Sequence, residues 1–209
     1  MTLVRGNLAG VLKTSTSNYR SICRALNQLE VPFVLIDDRS QVNGVSHIIV
    51  PGVSNFGSLM KELDQLGFID PLNTARNAGK AILGLCAGMQ VMGMHSEESE
   101  GVTGLGWFDF NVTKIPKSTD SHVRSFHTGW DDVHSTQPTR EENYDGCYYF
   151  NHSYYIAKCN PKHVLGTTEY GETFISVVGE GNTFGAQFHP EKSQNDGLRF
   201  IQKFLNLKL

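Results

Sequence analysis

Apolar positions in the first hundred residues come in two kinds of run. Residues 8–12, 33–36, 47–50 and 81–83 are short and almost unbroken, as strands buried on both faces are. Between them, Ile22, Ala25, Leu26 and Leu29 fall at helical spacing, as do Leu59, Met60, Leu63 and Leu66. The pattern predicts helices over 18–29 and behind residue 59, and a shorter one over 71–78. The polar cluster 14–18 offers hydroxyls to cap the first helix. Pro32 and the Pro51-Gly52 pair end the helix and strand that precede them. This order calls for a parallel sheet with helices on its faces.

From about residue 105 the rhythm changes. Aromatic and β-branched residues alternate over 107–113, 148–156 and 173–177, predicting half-buried, largely antiparallel strands. A closing helix over 196–209 places Leu198, Ile201, Phe204 and Leu205 on one face. No repeat, low-complexity tract or linker divides the chain, so residues 1–209 are expected to form a single domain.

Composition narrows the function classes. At 39% hydrophobic and 19% charged, the chain is neither disordered nor a membrane protein in type. A net charge of −3 gives no electrostatic reason to expect nucleic acid or an anionic membrane as partner. Residues 1–7 lack the apolar core of a signal peptide, and no run approaches a transmembrane span. Cys23, Cys86, Cys147 and Cys159 are scattered, with no C-x-x-C pair and no histidine at ligand spacing. Neither a metal nor another cofactor is therefore expected. A reducing, cytoplasmic setting fits such thiols.

Two stretches carry chemistry. In Lys80-Ala-Ile-Leu-Gly-Leu-Cys86-Ala-Gly-Met-Gln90, an apolar strand breaks at Gly84-x-Cys86-x-Gly88, and the chain resumes as if to start a helix. That is the arrangement of a nucleophile elbow, with a helix N-terminus behind the thiol. A buried structural cysteine in a glycine turn is the plainer reading of this stretch alone. In Gly185-Ala-Gln-Phe-His189-Pro-Glu191-Lys-Ser193, Pro190 holds His189 extended, so that His189 and Glu191 project to one side. By itself His189 reads as a core histidine. Thiol, imidazole and carboxylate together make a nucleophile, its base and an orienting group for acyl transfer. The 51–57 loop lies at a strand's carboxyl end, where α/β sheets bind ligands; it lacks a phosphate-loop pattern and alone reads as a plain turn. Residues 96–100 read as a solvated acidic loop.

The sequences Gly84-Leu-Cys86-Ala-Gly-Met-Gln90 and Gln187-Phe-His189-Pro-Glu191-Lys-Ser193 together resemble the class I glutamine amidotransferases. Three further features are similar to the glutaminase subunits of imidazole glycerol phosphate synthases: Pro51-Gly-Val-Ser-Asn-Phe-Gly57, Ser96-Glu-Glu with Gly104-Leu-Gly106, and Asn151-His-Ser-Tyr154. The resemblance implies a flavodoxin-like, three-layer α/β fold with additional antiparallel strands. It implies hydrolysis of L-glutamine through a thioester on Cys86, with His189 moving protons and Glu191 steadying it. Ala87 and the Gly52-Val53 segment would form the oxyanion hole. Gln90, Glu98, His152, Ser153 and Tyr154 would hold the glutamine. Ammonia would pass to a (β/α) barrel synthase bound as a heterodimer, with Asn18, Trp130 and Lys192 facing it. Two loops depart from the pattern. Ser54 stands where relatives carry glycine, and Lys13-Thr-Ser-Thr-Ser-Asn18 replaces an Asp-Tyr-Gly-Met-Gly-Asn type sequence. They keep open a paralogue that feeds a sugar-amidating synthase of surface polysaccharide. Hydrolysis of another γ-glutamyl amide and a non-catalytic scaffold are the remaining readings.

Overall fold

In chain order the elements begin with β1 (Ala9–Leu12), α1 (Tyr19–Gln28), β2 (Phe33–Ile36), β3 (His47–Gly52), α2 (Phe56–Gln65), α3 (Ile69–Asn77), β4 (Ala81–Cys86) and α4 (Ala87–Gln90). There follow β5 (His95–Ser96), β6 (Asn111–Lys114), β7 (His127–Ser135), β8 (Gly146–His152), β9 (Tyr154–Ile156), β10 (Val164–Tyr170), β11 (Glu172–Glu180), β12 (Thr183–Ala186) and α5 (Gln194–Leu205). This computed structural model describes residues 8–15, 17–117, 124–136 and 143–207. Thr16 of the expected cap cluster, the 1–7 stretch and the end of the closing helix lie outside them.

The described strands form one sheet whose main path runs β2-β1-β3-β4-β12-β11-β10-β7-β8, with β9 branching from β11 and carrying β6 and then β5. From β2 to β12 the neighbours are parallel; from β12 to β8 they are antiparallel. Alternation along the parallel strands builds both cores. Val11, Ile49, Leu83 and Leu85 point to the face covered by Ile22 and Leu26 of α1 and by Ile201 and Phe204 of α5. Leu12, Ile48, Val50 and Ile82 point to the other face, under Leu59 and Leu63 of α2 and Leu72 of α3. Each such side chain contributes about 1.5–3 kcal/mol by leaving water. The result is the expected three-layer α/β fold with added antiparallel strands.

Several local expectations are corrected. The third strand is not cut at Pro51. It runs on to pair Pro51 with Leu85 and Gly52 with Cys86, since proline's fixed φ suits extended chain. Helix α1 has no side-chain cap: the Ser17 hydroxyl bonds instead to the backbone of Thr14. Residues 107–110 are loop rather than strand, with Trp107, Phe108 and Phe110 buried and Asp109 exposed. The amides of Leu105 and Trp107 bond the carbonyls of Val91 and Met92, which leaves no ladder for that segment. Strands β7 and β10 have mixed polar patterns that the period-two reading did not pick out.

Candidate active site

Cys86 ends β4 with φ 54° and ψ −113°, a conformation costing a non-glycine residue about 1–3 kcal/mol. The flanking glycines are required by close approach. A Cβ on Gly88 would stand 1.9 Å from the Val50 carbonyl oxygen, and one on Gly84 2.4 Å from that of Gly88. The expected helix behind the elbow is a single turn, because the carbonyls of Val91, Met92 and Gly93 accept from the 105–107 amides. One turn has little macrodipole.

His189 is buried and extended, with Pro190 after it. Residues Pro190–Lys192 form a 3-10 turn, so Glu191 comes round to His189 by that turn and not by strand alternation. His189 Nδ1 lies 2.9 Å from Glu191 Oε1. A carboxylate only accepts, so Nδ1 carries a proton and Nε2 is left for the cysteine side. Burial works against charge on this ring, but the Cys86 sulfur and then Glu191 outweigh it, raising its pKa from 6.5 to about 10. An imidazolium beside a sulfur is a cysteine nucleophile with its acid–base partner.

Two residues in this cluster were not assigned there from the sequence. Asn18 Nδ2 donates to Glu191 Oε1 at 3.1 Å, while Asn18 Oδ1 accepts from the Ser21 hydroxyl at 2.9 Å. The residue expected to face a partner thus has its amide spent on the carboxylate. Gln187 is fully buried and its Nε2 lies 3.6 Å from Cys86 Sγ, as a donor to it. Its position two before His189 was a usable signal, since such residues share a side in extended chain. Nothing local pointed to the bond from Asn18.

These groups open on a cavity of about 800 Å³. Cys86, Ala87, Gln90 and His189 line its floor, with Val53 and Ser54 from the 51–57 loop, so that loop is more than a plain turn. Glu98, His152, Ser153, Tyr154, Asn18 and Lys192 also line it. The 96–100 segment is not merely a solvated loop: Glu98 Oε2 accepts from the Phe56 N–H at the start of α2, at 2.8 Å. Burial raises the Glu98 pKa, and that bond works against the rise. Gln90 Nε2 donates to the Tyr154 carbonyl at 2.9 Å and to Gln187 Oε1 at 3.0 Å, leaving its own oxygen free of these bonds. Gly52 packs behind the loop, where a Cβ would meet Gly88 N at 2.7 Å. The Ser54 hydroxyl is buried without a partner.

Trp130 does not line the cavity. It stands 44% exposed on β7, its ring 6.0 Å from and edge-on to that of Tyr149, and Lys192 Nζ lies 5.4 Å from the same Tyr149 ring. Among the described residues no group of His, Cys, Asp and Glu is placed to hold a metal, and no helix is long and apolar enough to cross a membrane.

Residues 11–207 match the family model described as glutamine amidotransferase class-I. The "Imidazole glycerol phosphate synthase subunit HisH" of Desulfitobacterium hafniense (strain DSM 10664 / DCB-2) is 35% identical over 94% of this chain and 93% of its own length. The protein of the same name from Bacillus licheniformis is 34% identical over 94% and 95%. A solved structure titled "Crystal structure of glutamine amidotransferase" superposes with a TM-score of 0.74 at 18% identity, covering 95% of this chain and 99% of that one. "Structure of PurLQS from Thermotoga maritima" gives 0.73 at 21%, covering 96% and 98%. At those identities the two solved structures speak for the fold.

Proposed function

Because the chain belongs to the class I glutamine amidotransferase family, we propose that it is a glutaminase subunit of an imidazole glycerol phosphate synthase. It hydrolyses L-glutamine to glutamate and passes the ammonia to a (β/α) barrel partner in histidine biosynthesis. The observation that carries the chemistry is Cys86 at a strained elbow in the cavity floor, backed by His189 and Glu191. The relatives' names support the pathway.

The reaction follows from the residues. Cys86 Sγ bonds to the side-chain carboxamide carbon of glutamine, and the carbonyl electrons move onto oxygen. The N–H of Ala87, with the Gly52-Val53 segment, stabilises that oxyanion, a contribution of about 10²–10³ in rate per donor. His189 gives its Nε2 proton to the leaving nitrogen, the carbon–nitrogen bond breaks, and ammonia departs from a γ-glutamyl thioester. His189 then takes a proton from water as it attacks the thioester, and glutamate leaves with Cys86 restored. Glu98 and the Gln90 oxygen hold the amino-acid end of the substrate, with His152, Ser153 and Tyr154 as the wall beside it. Around the rim, exposed Trp130 and Lys192 meet the barrel partner. Asn18 bridges that side to the triad.

The test is glutamate release by the chain alone and with the cyclase barrel of the same synthase and its nucleotide ligand. Strong stimulation that Cys86→Ala abolishes, in a folded protein, is the expected result. Full activity in Cys86→Ala would refute the mechanism. An unstimulated but labelled Cys86 would move the partner to another synthase.

A further inference from the structure

A second buried histidine pair lies outside the triad. His127 opens β7, opposite His152 on β8. Its ring is fully buried and stacks with Tyr170 at 4.1 Å and Phe150 at 4.5 Å, both nearly parallel, with Phe174 edge-on. Every ring nitrogen of the pair has a partner. His127 Nε2 lies 2.6 Å from Asp131 Oδ2, and His127 Nδ1 lies 3.1 Å from His152 Nε2. His152 Nδ1 lies 2.9 Å from the Tyr154 carbonyl oxygen.

Counting protons gives the charge. Both ends of this series, a carboxylate and a carbonyl, can only accept. Three contacts therefore need three protons, and two neutral imidazoles carry two. The third makes one ring an imidazolium. It does not rest on His152, whose burial, with His127 and His189 nearby, lowers its pKa to about 3. At the other end, the Asp131 side chain is 39% exposed, so water reaches its carboxyl group. On His127, burial outweighs the pull of Asp131 and lowers the pKa, so its charge rests on the contacts themselves, including one that this balance leaves out. The lone pair of His152 Nε2 is a second acceptor facing the same ring. A neutral His127 would leave two buried lone pairs opposed, at 3.1 or 2.9 Å, a loss of about 1–3 kcal/mol.

We propose that His127 is an imidazolium held by Asp131, and that this pair positions the glutamine pocket through His152 and the Tyr154 carbonyl. The proposal deepens the glutaminase reading and, for its effect on turnover, rests on it. His152 lines the cavity, yet neither of its nitrogens is free, so it is a wall and not a second base. The Tyr154 carbonyl that it bonds also accepts from Gln90, which bonds Gln187, which donates to Cys86 Sγ. One hydrogen-bonded series thus runs from a half-exposed carboxylate on β7 to the nucleophile. His127 and Asp131 are positioning residues within it. Among the described residues, the charged and titratable groups facing the His127 ring are Asp131, His152 and the stacked Tyr170.

The test combines histidine ¹⁵N NMR with kinetics on the whole chain. Two protonated nitrogens on His127 at neutral pH, with His152 neutral and protonated at Nδ1, are expected. In Asp131→Asn the amide can donate to a bare Nε2, so His127 should become neutral without loss of fold. Kinetically, the wild-type KM for glutamine should rise at alkaline pH as His127 loses its proton, and Asp131→Asn should lack that rise. His127→Phe keeps the stack and loses the bonds. It should raise KM about tenfold, the equivalent of one buried hydrogen bond, with a smaller change in kcat. A neutral His127 in the wild type, or a wild-type KM in His127→Phe, would overturn the proposal. A wild type that releases no glutamate even with the cyclase barrel and its nucleotide ligand present would refute the glutaminase reading and the kinetic role with it, while the NMR would still decide the imidazolium.

Discussion

Glu191→Gln separates charge from geometry in the triad. Glu191 Oε1 accepts from both His189 Nδ1 and Asn18 Nδ2, while Oε2 is buried without a partner. A glutamine can place its oxygen where Oε1 is and keep both bonds. What it loses is the carboxylate, and a charge-assisted bond exceeds a neutral one by about 1–2 kcal/mol. That corresponds to about 5–30-fold in kcat. The competing outcome is a flipped amide, with its NH₂ toward His189. The flip would force the wrong tautomer, with no base left for Cys86, and losses of about 10⁴ follow in such triads. Asn18 prevents it, since its own N–H would then face a donor. Glu191→Gln should therefore retain measurable glutamate release, and adding Asn18→Ala should cost far more than the product of the single effects. Equal activity of Glu191→Gln and wild type, or multiplicative behaviour of the double variant, would refute the reasoning. Stability carries the same signature. The folded pKa of His189 is raised to about 10, so its contribution is full below its unfolded value near 6.5 and is lost as pH rises through about 10. Urea melts at pH 7 and pH 9.5 should show a smaller difference in Glu191→Gln than in wild type.

Two other substitutions test the packing behind Cys86. Gln187→Leu removes the donor at 3.6 Å from the sulfur and leaves the Gln90 amide with one of its two acceptors, the Tyr154 carbonyl. Alkylation of Cys86 by iodoacetamide should slow several-fold, and an unchanged rate would remove Gln187 from the site. Gly88→Ala puts a Cβ 1.9 Å from a main-chain oxygen of β3. No flexible side chain can yield there, so about 1–3 kcal/mol of stability should go. Displacement of the elbow by about 1 Å should cost about 10²-fold in kcat; normal kcat with a normal melting temperature would contradict the packing described.

The parallel half of the fold was legible because its strands are buried on both sides, so 47–50 and 81–83 read as apolar runs that only a covered sheet accommodates. The clustering of Cys86, His189 and Glu191 was legible because they sit in short segments whose glycines and proline fix local backbone. Local pattern misled at 107–110, where alternating aromatics mimic a strand while the backbone bonds go to Val91 and Met92. It was silent about Asn18 and His127, for one shared reason. Each acts through a bond to a residue far away in sequence, Glu191 for the first and His152 for the second. Such bonds are set by strand register and by the meeting of loops at one sheet edge, and neither leaves a spacing to read. His127 shows the limit most clearly. In sequence it is a histidine four before an aspartate, an unremarkable surface pair. Only burial between two rings, with an acceptor at each nitrogen, turns that spacing into a charge. Strand β7 and Cys86 are then parts of one hydrogen-bonded structure, and a perturbation at Asp131 has a physical route to Cys86.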